Sequence, residues 1–104
     1  MIVFQVKRDA TGKIVQFTVE GHSGFADAGE DIVCASVSST VWMTVNGIES
    51  QNLAELKYEE NDGYVNCHIS LNRNASADAM LESLVSFMDE LSKQYKKYIC
   101  VSQV

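Results

Sequence analysis

Hydrophobic and polar positions alternate from the first residues, with Ile2, Phe4 and Val6 on one side of a strand and Val3, Gln5 and Lys7 on the other. The β-rich run IVQFTVE, from Ile14 to Glu20, continues the pattern after the turn DATGK, where Gly12 is free to take a positive φ. A glycine-containing loop follows, and then an apolar segment from Asp31 to about Ile48. Its many β-branched residues individually favour a strand. Their spacing decides otherwise: Val33, Val37, Val41 and Val45 recur every fourth position and Ile48 follows at the third, one helical stripe. A strand of about 17 residues would also be far longer than usual. Ala35, Ser36, Ser38 and Ser39 are small enough to let this helix lie close to a sheet, and Gly47 suggests a fraying end.

AELKYEE and YVNCHIS flank Asn61, Asp62 and Gly63, so residues 54–70 read as a second hairpin. A second helix is expected from about Ala75 to Lys93, capped by Asn74, with Ala77, Met80, Leu81, Leu84, Val85, Met88 and Leu91 buried. Its acids lie mainly early and its lysines late, as the helix dipole favours. A last strand, Tyr98 to Val104, gives the order β-β-α-β-β-α-β. The fold class is therefore α+β, with helices packed on a mostly antiparallel or mixed sheet. The two ββα units are loosely alike in hydropathy, which does not establish an internal repeat.

Composition sets the scale of the molecule. At 104 residues and 46% hydrophobic content, residues 1–104 suit one domain that buries roughly two thirds of its extended surface. MIVFQVKRD lacks the basic start, long apolar core and cleavage site of a signal peptide. No stretch approaches the roughly 18 uninterrupted apolar residues of a membrane span. Three widely spaced cysteines, Cys34, Cys67 and Cys100, are unlike a disulfide framework and fit a reducing cytoplasm. Fourteen acidic against eight basic side chains give a formal charge of -6, which repels a phosphate backbone. Direct nucleic-acid binding is disfavoured, whereas a basic protein or peptide partner is not.

The chemistry concentrates between Gly21 and Ser38. His22 ends a strand and Cys34 begins a helix, so the two can meet across the loop as a nucleophile and its base. With Asp31 as N-cap, Cys34 falls in the first helical turn. There the dipole and unpaired N–H groups favour a thiolate, and the same N–H groups are available to hold an oxyanion. The plain reading of Cys34 is a buried core residue, and that of His22 a surface histidine; their pairing favours catalysis. Capping explains Asp31 completely, with orientation of His22 as a second possible duty. Ser23, Asp27 and Glu30 read as solvated loop residues. Gly21, Gly24 and Gly29 suit either an ordinary loop or a mobile flap, and Phe25 an anchor of that loop to the core. Cys67 and His68 are strand neighbours that point to opposite faces, and no spacing of His22, Cys34, Cys67 and His68 resembles a zinc site. No metal or other cofactor is expected. Cys100 reads as structural, and Trp42, Met43 and Phe87 as core or subunit-interface residues.

GHSGFADAGEDIVCASVSS resembles the bacterial ribosomal-processing cysteine protease family, usually called Prp, whose motif GHxGxAxxGxDIVCAxVS runs in full from Gly21 to Ser38. Length and element order agree, while residues 50–104 add little beyond hydropathy. The resemblance implies a homodimeric enzyme of ribosome assembly that removes a short N-terminal extension from a large-subunit ribosomal protein, cutting after phenylalanine. It further implies that His22 and Cys34 are the catalytic pair, with Asp31 beside them and Gly21, Gly24 and Gly29 in a flexible loop near the active site. An acidic enzyme would draw in the basic tail of such a substrate. Two other functions fit the same loop: a noncatalytic ribosome-associated module that holds a basic peptide, and a redox-sensing thiol protein.

Overall fold

The computed structural model describes residues 1–27 and 31–104. The strands β1 (Ile2–Arg8), β2 (Ile14–Glu20), β3 (Ala54–Asn61), β4 (Tyr64–Asn72) and β5 (Ile99–Gln103) and the helices α1 (Ile32–Ser50) and α2 (Ala75–Gln94) follow the expected order. One sheet has the strand order β3-β4-β2-β1-β5. Its β1–β2, β2–β4 and β3–β4 pairs are antiparallel and β1–β5 is parallel, so the sheet is mixed. The two hairpins meet through β2 and β4, and the chain crosses over twice: α1 carries it from β2 past β4 to the edge strand β3, and α2 carries it from β4 past β2 and β1 to the opposite edge strand β5.

Register puts the core on one face. Val6 lies beside Phe17, Phe17 beside Cys67 and Cys67 beside Tyr58. Because side chains alternate along a strand, the next row, Lys7, Gln16, His68 and Lys57, occupies the opposite, open face. Cys67 is accordingly buried and His68 exposed, as alternation requires. Ile14 and Phe17 are both buried although an odd number of positions separates them. A β-bulge resolves this: Lys7 faces Gln16 but Arg8 faces Ile14, leaving Val15 as the extra residue. The bulge also turns Arg8 to the helix side, where its guanidinium bonds Glu82 of α2 at 2.9 Å.

Both helices cover the buried face. The α1 stripe of Val33, Val37, Val41, Val45 and Ile48 is buried as its spacing predicts, with Thr44 beside it. From α2, Ala77, Leu81, Leu84, Met88 and Leu91 are buried, while Met80 and Val85 are partly so. Each large side chain fully removed from water contributes about 1.5–3 kcal/mol. Asn74 caps α2 by accepting from the Ser76 N–H at 2.8 Å.

Two expectations about the helices need correction. Ala35, Ser38 and Ser39 face outward, because the sheet side of α1 is filled by its valines. Gly47 marks no fraying end: α1 continues to Ser50, and a Cβ at Gly47 would lie 2.6 Å from Met80 Cε. Its lack of a side chain allows α2 to approach. Of the residues read as core or subunit interface, Met43 and Phe87 are exposed, which leaves them the second reading, and Trp42 is half-buried and meets Tyr58 edge to face. No helix is long and apolar enough to cross a membrane among the described residues.

Candidate active site

The site begins with the cap of α1. Asp31 is extended, with φ -79° and ψ 98°, and its carboxylate accepts from the N–H groups of Val33 at 3.0 Å and Cys34 at 2.9 Å. The Ala35 N–H reaches the Asp31 carbonyl at 3.1 Å. Cys34 therefore stands in the first turn, as its distance from the cap predicts. The expectation that first-turn N–H groups are open to an oxyanion is overturned for Val33 and Cys34, which the cap already takes. Burial tends to raise the pKa of Asp31. Hydrogen bonds from the Ser23 hydroxyl, the Cys34 N–H and thiol, and the Ala26 N–H outweigh it and hold the carboxyl at about 2.

Ser23 is the largest departure from expectation. Read from sequence as solvated, it is only 3% exposed. Its hydroxyl donates to Asp31 and accepts from the Phe25 N–H at 3.2 Å. The Cys34 thiol reaches the same oxygen at 3.6 Å, and the Ser23 backbone N–H donates to Cys34 Sγ at 3.4 Å. No periodicity in a loop tells which side chain turns inward. The only available signal was a hydroxyl one position beyond a candidate histidine, in a loop that must return to an acidic cap. Asp27 is exposed, as expected. Gly29 and Glu30 lie outside the described residues.

His22 is placed by backbone contacts on both sides. The Gly21 N–H bonds the Gly63 carbonyl at 2.8 Å, which ties the end of β2 to the β3–β4 turn. Gly21 has φ +97°, and a Cβ there would collide with the Met1 carbonyl oxygen. Gly63, at φ +71°, presents its bare Cα to the imidazole: a Cβ would stand 2.7 Å from His22 Nε2. Sequence reasoning found Gly63 as a turn residue and missed that its turn packs on the histidine. Gly24 also has a positive φ, +72°, and is exposed. Phe25 meets Tyr95 and Tyr98 edge to face, with ring centroids 5.7 and 5.1 Å apart, so it anchors the loop beside the last strand.

Two concavities, each of about 520 Å³, adjoin the cysteine. His22, Cys34 and Ser38 line both. The first opens between α1 and the β3–β4 hairpin. Val19, Val37, Val41, Trp42 and Val65 give it apolar walls, while Glu60 and Asp62 bring negative charge to it. The second includes Gly24, Ala26, Asp31 and Ala35, on the loop side of the thiol. The structure thus gathers His22, Cys34, Asp31, Gly21 and Gly24 in one region, although the Cys34 sulfur hydrogen-bonds Ser23 rather than His22. Such an arrangement suits an extended chain laid across a thiol, with an imidazole beside it and room on either side. Cys67 stands apart: burial, aided by the charge of Glu49, pushes its thiol up to about 12. Among the described residues no group of His, Cys, Asp and Glu is placed to hold a metal ion.

The chain matches the family described as cysteine protease Prp over residues 1–100. The ribosomal processing cysteine protease Prp of Bacillus subtilis is 29% identical over 108 residues, covering 98% of this chain and 96% of its own length. That of Staphylococcus aureus is 24% identical over 102 residues, 95% of each chain. Two crystal structures of the S. aureus ribosomal processing protease Prp cover 100% of both chains. The one with a covalently linked product peptide has a TM-score of 0.94 at 22% identity, and the one with a substrate peptide 0.88 at 21%. At these identities the likeness to the solved structures is one of fold.

Proposed function

Since the chain belongs to the Prp family of cysteine proteases, we propose that it is the endopeptidase that removes a short N-terminal extension from a large-subunit ribosomal protein, cutting after phenylalanine, during ribosome assembly in the cytoplasm. His22 and Cys34 are the catalytic pair in this reading. The imidazole takes the thiol proton, the thiolate attacks the scissile carbonyl, and the protonated imidazole gives its proton to the leaving amine. Water activated by His22 then hydrolyses the acyl-enzyme and frees the thiol. Asp31 supports the pair by capping α1 and holding Ser23, not by a bond to His22.

The observation that carries the proposal is the junction itself, where Cys34 and His22 border both concavities. The apolar walls of the first suit a phenylalanine side chain. The Gly21–Asp27 loop, exposed from Gly24 to Asp27 and with Gly21 and Gly24 at positive φ, suits a cover that adjusts to the peptide. The enzyme acts as a homodimer in this reading, and the exposed Met43 and Phe87 supply apolar surface for the contact; sedimentation equilibrium of the free protein tests that state.

The test of function is to mix the protein with a ribosomal protein carrying its extension and to weigh the products. One cut after phenylalanine is expected from the original chain and none from Cys34→Ala or His22→Ala, both still folded by circular dichroism. Full cleavage by Cys34→Ala would sink the mechanism. Tight binding without a product, unchanged by Cys34→Ala, would instead identify a peptide-holding module.

A further inference from the structure

A hydroxyl group has one hydrogen to give and two lone pairs to receive, and at Ser23 all three are committed. The hydrogen goes to the Asp31 carboxylate, one lone pair receives the Phe25 N–H at 3.2 Å, and the other faces Cys34 Sγ at 3.6 Å. Toward the sulfur, Ser23 therefore presents an acceptor. A thiol satisfies that acceptor with its S–H, whereas a thiolate has nothing to donate. The Ser23 backbone N–H, 3.4 Å from Sγ, serves either form. Asp31, as an anion fixed by the helix cap, keeps the hydroxyl turned away from the sulfur.

We propose that Ser23 is a positioning residue that holds Cys34 as a thiol, directed away from His22, and so sets the pH range over which the cysteine reacts. Attack then requires the S–H to leave Ser23 and turn toward the imidazole, which the arrival of a peptide across the two concavities would drive. The inference rests on Cys34 being the nucleophile of the proposed peptidase. Among the described residues, the other titratable groups facing the site are His22 from the end of β2, Asp31 from the cap of α1, and Glu60, Asp62 and Tyr64 from the β3–β4 hairpin; β1 contributes only Ile2 to the walls. The Asp31 carboxylate, which the Cys34 thiol also approaches, and the two hairpin carboxylates oppose a thiolate whether or not Ser23 is present, so they do not alter the sign of the effect of removing its hydroxyl.

Alkylation by iodoacetamide tests this without any peptide. The thiolate displaces iodide, a C–S bond forms, and the thiol proton passes to solvent or to His22. For Ser23→Ala, the alkylation rate of Cys34 in mildly acidic to neutral solution should rise about threefold to tenfold, the range of one hydrogen bond, and the rate profile should move to lower pH. Ser23→Thr keeps the hydroxyl and should follow the original profile, which a merely structural role would not require. An unchanged profile in Ser23→Ala, or one moved to higher pH, overturns the proposal. Should Ser23→Ala fail to fold, the Raman S–H stretch of the original protein, assigned by its loss in Cys34→Ala, decides. A band lowered by hydrogen bonding is expected, and one at the free-thiol position overturns the proposal. Alkylation does not depend on hydrolysis, so absence of peptide cleavage would remove the protease reading and leave this profile standing.

Discussion

At the scale of single residues, Asp31 joins folding to chemistry. One carboxylate caps α1 and accepts a hydrogen bond from the Ser23 hydroxyl. Loss of a capping side chain costs about 0.5–2 kcal/mol, so Asp31→Ala should unfold at lower urea concentration than Asp31→Asn, which keeps a cap acceptor. The charge adds a pH dependence. The folded carboxyl titrates near 2 rather than at the ordinary 3.8. Its contribution is therefore complete above the unfolded value and is lost as pH falls toward the folded one. Urea titrations in steps across that window should show the stability gap between the original chain and Asp31→Asn narrowing to nothing; a constant gap would mean that the charge plays no part.

The role of Asp31 as a cap was legible from its place before a helical stripe, because caps obey local rules. The inward turn of Ser23 was not legible. Its burial depends on where the far end of the loop lands, and the polarity of serine points to solvent.

At the scale of elements, the turn of the β3–β4 hairpin reaches the site from a distant part of the chain. Gly63→Ala places a methyl group against His22 Nε2 at a backbone angle of φ +71°. The left-handed conformation alone costs about 1–2 kcal/mol. Gly12 is the control: its φ is +88°, yet a Cβ there meets nothing within 4 Å. Both variants should lose similar stability, but only Gly63→Ala should lower kcat/KM for peptide cleavage, by about tenfold or more, as displacement of a catalytic group does. Equal peptidase activity in the two would show that the turn does not position the imidazole. Asn61, Asp62 and Gly63 announced a turn in the sequence. That it closes on His22 follows from the pairing of β2 with β4, which brings Glu20 beside Tyr64.

At the scale of the whole molecule, the charge of -6 gives the field that an approaching peptide meets, with Glu60 and Asp62 at the first concavity. Screening lengths shrink from about 30 Å at 0.01 M salt to about 8 Å at physiological ionic strength. For a basic peptide substrate, kcat/KM should fall several-fold over that range while kcat holds nearly constant, because steering acts on encounter. Turnover of a basic and a neutral peptide with the same weak salt dependence would show that the acidity plays no part in capture.

The amino-acid sequence by itself determined the seven elements and their order, the buried stripe of each helix, the cap of α1 and the position of Cys34 one turn inside it. These follow from periodicity, turn chemistry and capping, which act over a few residues. Only the tertiary structure decided that Ser23 is buried between Asp31 and Cys34, that Gly47 makes room for Met80, that Gly63 packs on His22 and that the cap consumes the first N–H groups of α1. Each of those depends on close packing between segments far apart in the chain, where a fraction of an ångström decides what fits and no local pattern records the neighbour.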